Sequence, residues 1–320
     1  MLRTVLIYLS RADWARNLVK NWSLARRMAS RFVSGETMKD AVEAVKALKK
    51  RGIDSTLDHL GEHVTNRREA ASAVQEILTL LDFLAEQEVN SGISIKLSQI
   101  GLVLDPDFCL ENLVQILQQA EKLGTFVRID MEESEVTDQT LEIFRQVLAK
   151  FGANQVGVVL QSYLYRTADD LLDLMQVGAK IRLCKGAYRE TQDVAFPSKK
   201  DVDKNFDKLT RIMLDTSQAE GSSISADGGR PPIPAIATHD QERIEFAVNY
   251  AEEIDLDKRG LEFQMLYGIR TDLQESLVKQ GYPVRVYVPY GTEWYPYYVR
   301  RLAERPANLW FFLSHFIRRK

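Results

Sequence analysis

Cysteine is nearly absent from this chain of 320 residues: the two present, Cys109 and Cys184, lie in different segments with no companion at metal-ligand spacing. That scarcity excludes a disulfide scaffold and a cysteine-based zinc site, and it points to reduced thiols and a cytoplasmic setting. Long hydrophobic runs are missing too. The N-terminal run Val5-Leu6-Ile7-Tyr8-Leu9 is too short to span a bilayer or to act as an export signal, and Arg11 closes it. Neither sign of charge dominates, since 42 basic and 45 acidic residues leave a net charge of −3. The clustered cationic face that neutralises a polynucleotide is therefore not expected, nor is a nucleic-acid partner. No Gly-x-Gly-x-x-Gly follows any candidate strand, which weighs against a dinucleotide-binding open sheet.

What the chain does have is length, a 45% apolar content and a strict alternation of two periods. From Gly52 onward, short runs rich in Val, Ile, Leu and Thr alternate with longer segments of helical spacing, the pattern of parallel strands joined by crossover helices. The candidate strands are 54–61, 93–98, 126–131, 156–161, 180–183, 234–239, 261–265 and 284–289. The 230 residues from Asp58 to Val288 then hold seven steps of roughly 33 residues, the size of a βα unit. The expected fold is an α/β, distorted (βα)8 barrel, with a doubly wound sheet as the competing architecture. Residues 1–50 read as an N-terminal helical segment, 51–308 as the catalytic barrel and 309–320 as an apolar and basic tail. Between strands, Leu113, Ile116, Leu117, Ala120 and Leu123 line one face of a helix over 111–123 that Asp107 is expected to start. The stretch 221–234 (GSSISADGGRPPIP) reads as an exposed loop entering the sixth strand.

In a barrel the catalytic groups sit at the C-terminal ends of the strands, and here those ends are polar. Lys96 belongs to the second, Asp130 with Glu132 and Glu133 to the third, and Gln161 to the fourth. Arg182 and the run Lys185-Gly186-Ala187-Tyr188 belong to the fifth, Thr238 and His239 to the sixth, Gln264 to the seventh and Tyr287 to the eighth. An interior lysine needs an anion, and Asp130 is its natural partner. One buried ion pair would explain those two residues structurally, but not the recurrence of polar groups at one end of nearly every strand. His239 suits either a hydrogen-bonded core position or a ligand contact. His59 and His63 are four apart but straddle a strand end, so no metal site is assigned. Cys184 beside Lys185 reads as packing.

After the last strand, Tyr297, Arg300, Arg301 and Glu304 fall at i, i+3, i+4 and i+7 of a helix ending before Pro306. Two adjacent guanidinium groups grip a carboxylate bidentately, and Glu304 orients them. A solvated charged face is the alternative.

These segments resemble a known family. IRLCKGAYRE (181–190), IATHD (236–240) and YYVRRLAERPAN (297–308), with ISIKLS (93–98) and RIDMEE (128–133), are similar to the strand-end and last-helix motifs of proline dehydrogenases of the short, monofunctional bacterial type. The resemblance runs from about Asp58 to Asn308. It implies a distorted (βα)8 barrel with non-covalent FAD over its C-terminal face and oxidation of L-proline to Δ1-pyrroline-5-carboxylate, the first step of proline catabolism to glutamate. Electrons would pass to a quinone, and the product to a separate pyrroline-5-carboxylate dehydrogenase. Carried over by residue, it implies a catalytic role for Asp130, Tyr188, Lys96, Arg300 and Arg301. It implies proline contacts at Lys96, Leu266, Tyr287, Tyr297, Arg300, Arg301 and Glu304. It implies flavin contacts at Met131, Val159, Gln161, Arg182, Lys185, Gly186, Ala187, Thr238, His239 and Gln264, with Arg182 beside the ring nitrogen N5.

Three readings compete with or extend this one. A barrel lyase or aldolase would use Lys96 as a Schiff-base nucleophile. A hydroxyproline dehydrogenase would share most of the residues, and a non-catalytic binding barrel would leave the polar strand ends unexplained. In the tail, Leu309, Trp310, Phe311, Phe312, Leu313, Phe316 and Ile317 precede Arg318-Arg319-Lys320. That composition suits packing on the barrel or peripheral contact with the inner face of the cell membrane.

Overall fold

The computed structural model describes residues 29–61 and 64–304, the side chains of 302–304 excepted. Eight strands, β1 (Asp54–His59), β2 (Gly92–Ile95), β3 (Val127–Ile129), β4 (Val156–Gln161), β5 (Lys180–Cys184), β6 (Pro234–Ala237), β7 (Glu262–Leu266) and β8 (Val284–Tyr290), pair in parallel with their sequence neighbours. β8 returns to β1, so the sheet closes into a barrel. Closure excludes the doubly wound alternative, because an open sheet would leave β1 or β8 with a bare edge.

Helices fill the crossovers: α1 (Met38–Lys49), α2 (Arg67–Glu86), α3 (Pro106–Lys122), α4 (Thr137–Phe151), α5 (Thr167–Met175), α6 (Lys199–Glu220), α7 (Gln241–Glu253), α8 (Thr271–Lys279) and α9 (Trp294–Glu304). Helix α3 shows the local logic. Its side chains Leu113, Ile116, Leu117 and Ala120 are buried at helical spacing. Its start, though, is Asp105 rather than Asp107: the Asp105 carboxylate accepts from the backbone N–H groups of Asp107 and Phe108, and Pro106 occupies the first turn. Proline belongs there, since its missing N–H would have had no partner.

Two placements distort the barrel. Helix α1 lies against β8 and β1, the flank an eighth crossover helix would otherwise cover. Helix α9 is thereby freed from that flank: Trp294, Tyr295, Tyr297, Tyr298 and Val299 pack with Phe32, Leu60 and Ile269, and Leu266 touches the cluster. Leu60, Leu266 and Ile269 follow or end strands, so α9 roofs the C-terminal rim. The 221–234 segment differs from the expected exposed loop. Ile224, Gly228, Gly229 and Ile233 are buried, and the Gly228 carbonyl accepts from Arg285 inside the barrel. Gly228 has φ +76, and a Cβ there would meet the Asp54 carboxylate, so the loop plugs the N-terminal end of the barrel by backbone contact.

Candidate active site

Strand alternation decides what faces the axis. Registers pair Thr56 with Tyr287, Asp58 with Pro289 and Val159 with Arg182, and side-chain hydrogen bonds across the axis confirm which set points inward. That interior is charged where most barrels carry branched apolar layers. Arg128, Lys180, Arg182, Arg285, Asp58 and Glu262 are all buried.

At the C-terminal end these groups form one connected set. The Arg182 guanidinium donates to Asp130 Oδ1 at 2.8 Å, to Ser94 Oγ at 3.1 Å and to Gln264 Oε1, and it lies over the Tyr287 ring, 5.4 Å from its centroid. Tyr287 donates its phenol proton to Asp130 Oδ2 at 2.7 Å. Burial first, and the neighbouring Asp130 second, hold that phenol well above its ordinary titration range, so it stays a neutral donor. Lys96 sits one residue beyond β2, at the start of a single 3₁₀ turn. Its nearest carboxylate is Asp58, 3.0 Å away, with Asp130 at 4.0 Å. The expected Lys96–Asp130 pair is therefore secondary. Asp58, which the sequence reading passed over, supplies the main counter-charge from β1. Its signal was only its own charge within β1, a strand in which Leu57 is the single apolar residue.

A second group gathers where β4, β5, β6 and β7 end. Gln161 donates to the Glu132 carbonyl at 3.0 Å, while its own buried Oε1 has no hydrogen-bond partner among the described residues. Met131 and Val159 are 5% exposed beside it. His239 Nε2 accepts from the Leu266 N–H at 2.9 Å, which makes this imidazole nitrogen an acceptor and ties the end of β6 to that of β7. Thr238 accepts from the Asp240 N–H. Lys185 reaches both Asp203 and Asp240. Gly186 adopts φ +107 with Tyr163 so close that a Cβ would lie 2.3 Å from the ring. Ala187 is exposed and Tyr188 half-buried. Burial raises the Cys184 thiol to about 11, which suits packing rather than a nucleophile.

Helix α9 completes the rim. Tyr297 is buried, Arg301 stacks over its ring at 5.1 Å, and Arg300 and Arg301 are both half-buried. A freely solvated charged face does not fit that burial. Glu304 ends the helix, with its side chain outside the described residues, as are His63, Arg305 to Asn308 and the 309–320 tail.

Comparison with known proteins adds to this geometry. The family profile described as Proline dehydrogenase matches residues 41–313. Proline dehydrogenase 2 of Bacillus subtilis is 40% identical over 309 residues, covering 97% of this chain and 96% of the relative. Proline dehydrogenase of Deinococcus radiodurans is 39% identical, covering 90% and 88%. The bifunctional protein PutA of Escherichia coli is more distant, at 26% identity over 88% of this chain but 24% of its own. Among solved structures, proline utilization A from Bdellovibrio bacteriovorus, inactivated by N-propargylglycine, shares the fold with a TM-score of 0.79 at 24% identity. This chain covers 36% of that one.

Proposed function

The chain belongs to the proline dehydrogenase family, and from that premise we propose that it converts L-proline to Δ1-pyrroline-5-carboxylate with non-covalent FAD as the immediate electron acceptor. Oxidation of proline in proline catabolism is the family's activity. The finer reading rests on one observation: Lys96 and Arg182 are buried and paired with Asp58 and Asp130 at the C-terminal strand ends, the rim on which α9, carrying the half-buried Arg300 and Arg301, packs against Leu60, Leu266 and Ile269.

The residues divide the work by chemistry. Proline carries a carboxylate, and Arg300, Arg301 and Lys96 supply cations suited to grip it, the guanidiniums through paired N–H donors. Tyr297, Tyr287 and Leu266 provide apolar surface for the ring. Asp130 is not a free base, since Arg182 and Tyr287 occupy its two oxygens. Its role is to hold those two groups in place. FAD, when bound, supplies the two-electron sink that removal of a hydrogen from the carbon next to nitrogen requires. The residues fit such a group: the unpartnered buried Gln161 Oε1 can accept from a ring N–H, and the backbone at Gly186 and Ala187 leaves room for close approach. Lys185 can meet a phosphate, and Met131, Val159, Arg182, Thr238, His239 and Gln264 would complete the contacts. Ring oxidation also releases the proton of the amine, which leaves to solvent. Electrons would pass on to a quinone, and the product to a separate pyrroline-5-carboxylate dehydrogenase; a tail at the inner membrane face would suit the quinone.

The Schiff-base alternative needs an uncharged Lys96 amine, and two carboxylates at 3.0 and 4.0 Å favour the ammonium instead. The deciding experiment is a spectrum. The purified protein, reconstituted with FAD, is expected to show flavin bands that bleach on adding L-proline, with hydroxyproline acting more weakly. A colourless protein, or one from which borohydride traps substrate on Lys96, would overturn the reading.

A further inference from the structure

Between β5 and α6 the chain leaves the sheet as an arch, Gly186 to Arg189, in which Ala187 and Arg189 are exposed and Tyr188 only half-buried. So little apolar burial cannot fix a conformation by itself. Its first end is set by Gly186, whose positive φ lets the backbone lie flat on the Tyr163 ring. The second end is held by one carboxylate. Glu190 accepts from the Ser134 N–H at 2.9 Å and the Ser134 hydroxyl at 2.5 Å, and from the Tyr163 phenol at 3.3 Å. Ser134 follows β3 and Tyr163 follows β4, so three donors from two other crossovers meet on one side chain of the third.

We propose that Glu190 is a positioning residue that fastens this arch across the ends of β3 and β4, presetting Gly186 and Ala187 for the cofactor. The inference deepens the flavin reading above and rests on it. A charged acceptor is the right device here: it takes all three donors at once, and charge-assisted bonds are stronger than neutral ones. Tyr163 serves both ends, as platform under Gly186 and as donor to Glu190.

Two cofactor-linked and cofactor-free readouts test the idea on the full-length protein. Lys185 is the tryptic site that opens the arch, so limited trypsin digestion after Lys185 without added FAD reports its order; the bond after Arg189 is not used, because Glu190 adjoins it and an acidic neighbour slows trypsin by itself. Glu190→Ala is expected to speed cutting after Lys185 and to weaken FAD binding about tenfold, the loss of a charged hydrogen-bond acceptor, with the melting temperature of the flavin-free protein little changed. Ser134→Ala, which removes one of the three donors, should give a smaller effect of the same sign. Unchanged cutting in Glu190→Ala would overturn the proposal whatever the flavin does. Faster cutting with FAD bound as tightly as in the parent would leave Glu190 a loop anchor and overturn its role toward the cofactor. If the parent protein itself took up no FAD, the flavin reading would fail, and the fastening of the arch would stand or fall on the digestion alone.

Discussion

Arg301 shows how one side chain can be read at two levels. Its guanidinium stacks on Tyr297, so the planar group is pre-oriented before any substrate arrives, and little entropy is lost on binding. Replacing Arg301 by Met keeps the stem and removes the charge. The expected cost is about 2–4 kcal/mol in proline binding, the loss of a charged partner to a desolvated carboxylate. Half-saturation by proline measures it, and Arg300→Met should behave alike; unchanged values would remove both from the site. Lys180 tests the interior instead. Burial first, then Arg128 and Arg230, push its ammonium down to about 8 from an ordinary 10.5. A lysine lowered in the fold binds its proton more weakly there than in the unfolded chain, so the fold is penalised below pH 8 and the penalty disappears as pH rises from 8 toward 10.5. Lys180→Met is therefore expected to stabilise the protein at pH 7 by up to about 3 kcal/mol. The advantage should shrink to nothing near pH 10.5, as urea unfolding at both pH values would show.

Elements carry their own tests, and the N-terminus of α3 gives a sharp one. Asp105→Ala should cost about 1 kcal/mol by removing the cap, while Asp107→Ala, which caps nothing, should cost a few tenths at most; paired thermal melts separate them. The same helix illustrates what could be read from sequence. Its buried face was legible because helical period repeats over several turns, whereas the cap was misplaced by two residues because two aspartates flank one proline. All eight strands were legible for a related reason: runs such as Val156–Gln161 combine branched residues with sharp flanks, and the ends differ by at most three residues, the most at β2, which stops at Ile95 before the 3₁₀ turn Leu97–Ile100. Repeat length alone pointed to the closed barrel, but its long-range packing was harder to see. That α1 covers the β8–β1 flank, that 221–234 plugs the barrel, and that Asp58 rather than Asp130 neutralises Lys96 all depend on contacts between residues far apart in the chain. Local pattern contains no such distance. The polar strand ends, by contrast, announced a site because barrel geometry brings all strand ends to one rim.

Across the whole molecule, the rim site is the upper end of a polar column that runs down the axis. Arg182 donates to Gln264, Gln264 to Glu262 at 2.5 Å, and Arg285 to Glu262 at 2.9 and 3.1 Å; Arg285 also donates to the carbonyls of Ser55 and Gly228 at the plug. Glu262 is fully buried and Arg285 4% exposed, so each charge is compensated in the interior by the other. Arg285→Met deprives Glu262 of its hydrogen-bonded counter-charge in the interior and is expected to cost about 3–5 kcal/mol of stability. The double replacement Arg285→Met with Glu262→Met removes both charges at similar volume and should recover most of that loss, a coupling that a double-mutant cycle in urea measures directly. Additive losses would mean that the pair does not act as a unit. The same cycle probes function from below. Gln264 loses its acceptor whenever Glu262 is replaced, and among the described residues the only other bond fixing its amide is the one from Arg182. Replacing Glu262 should therefore lower turnover even where stability is restored, whereas Arg285→Met, which leaves Glu262 in place, should keep the half-saturation for proline. A barrel with an apolar interior would transmit nothing between its ends; here the column makes the plug and the rim one electrostatic system.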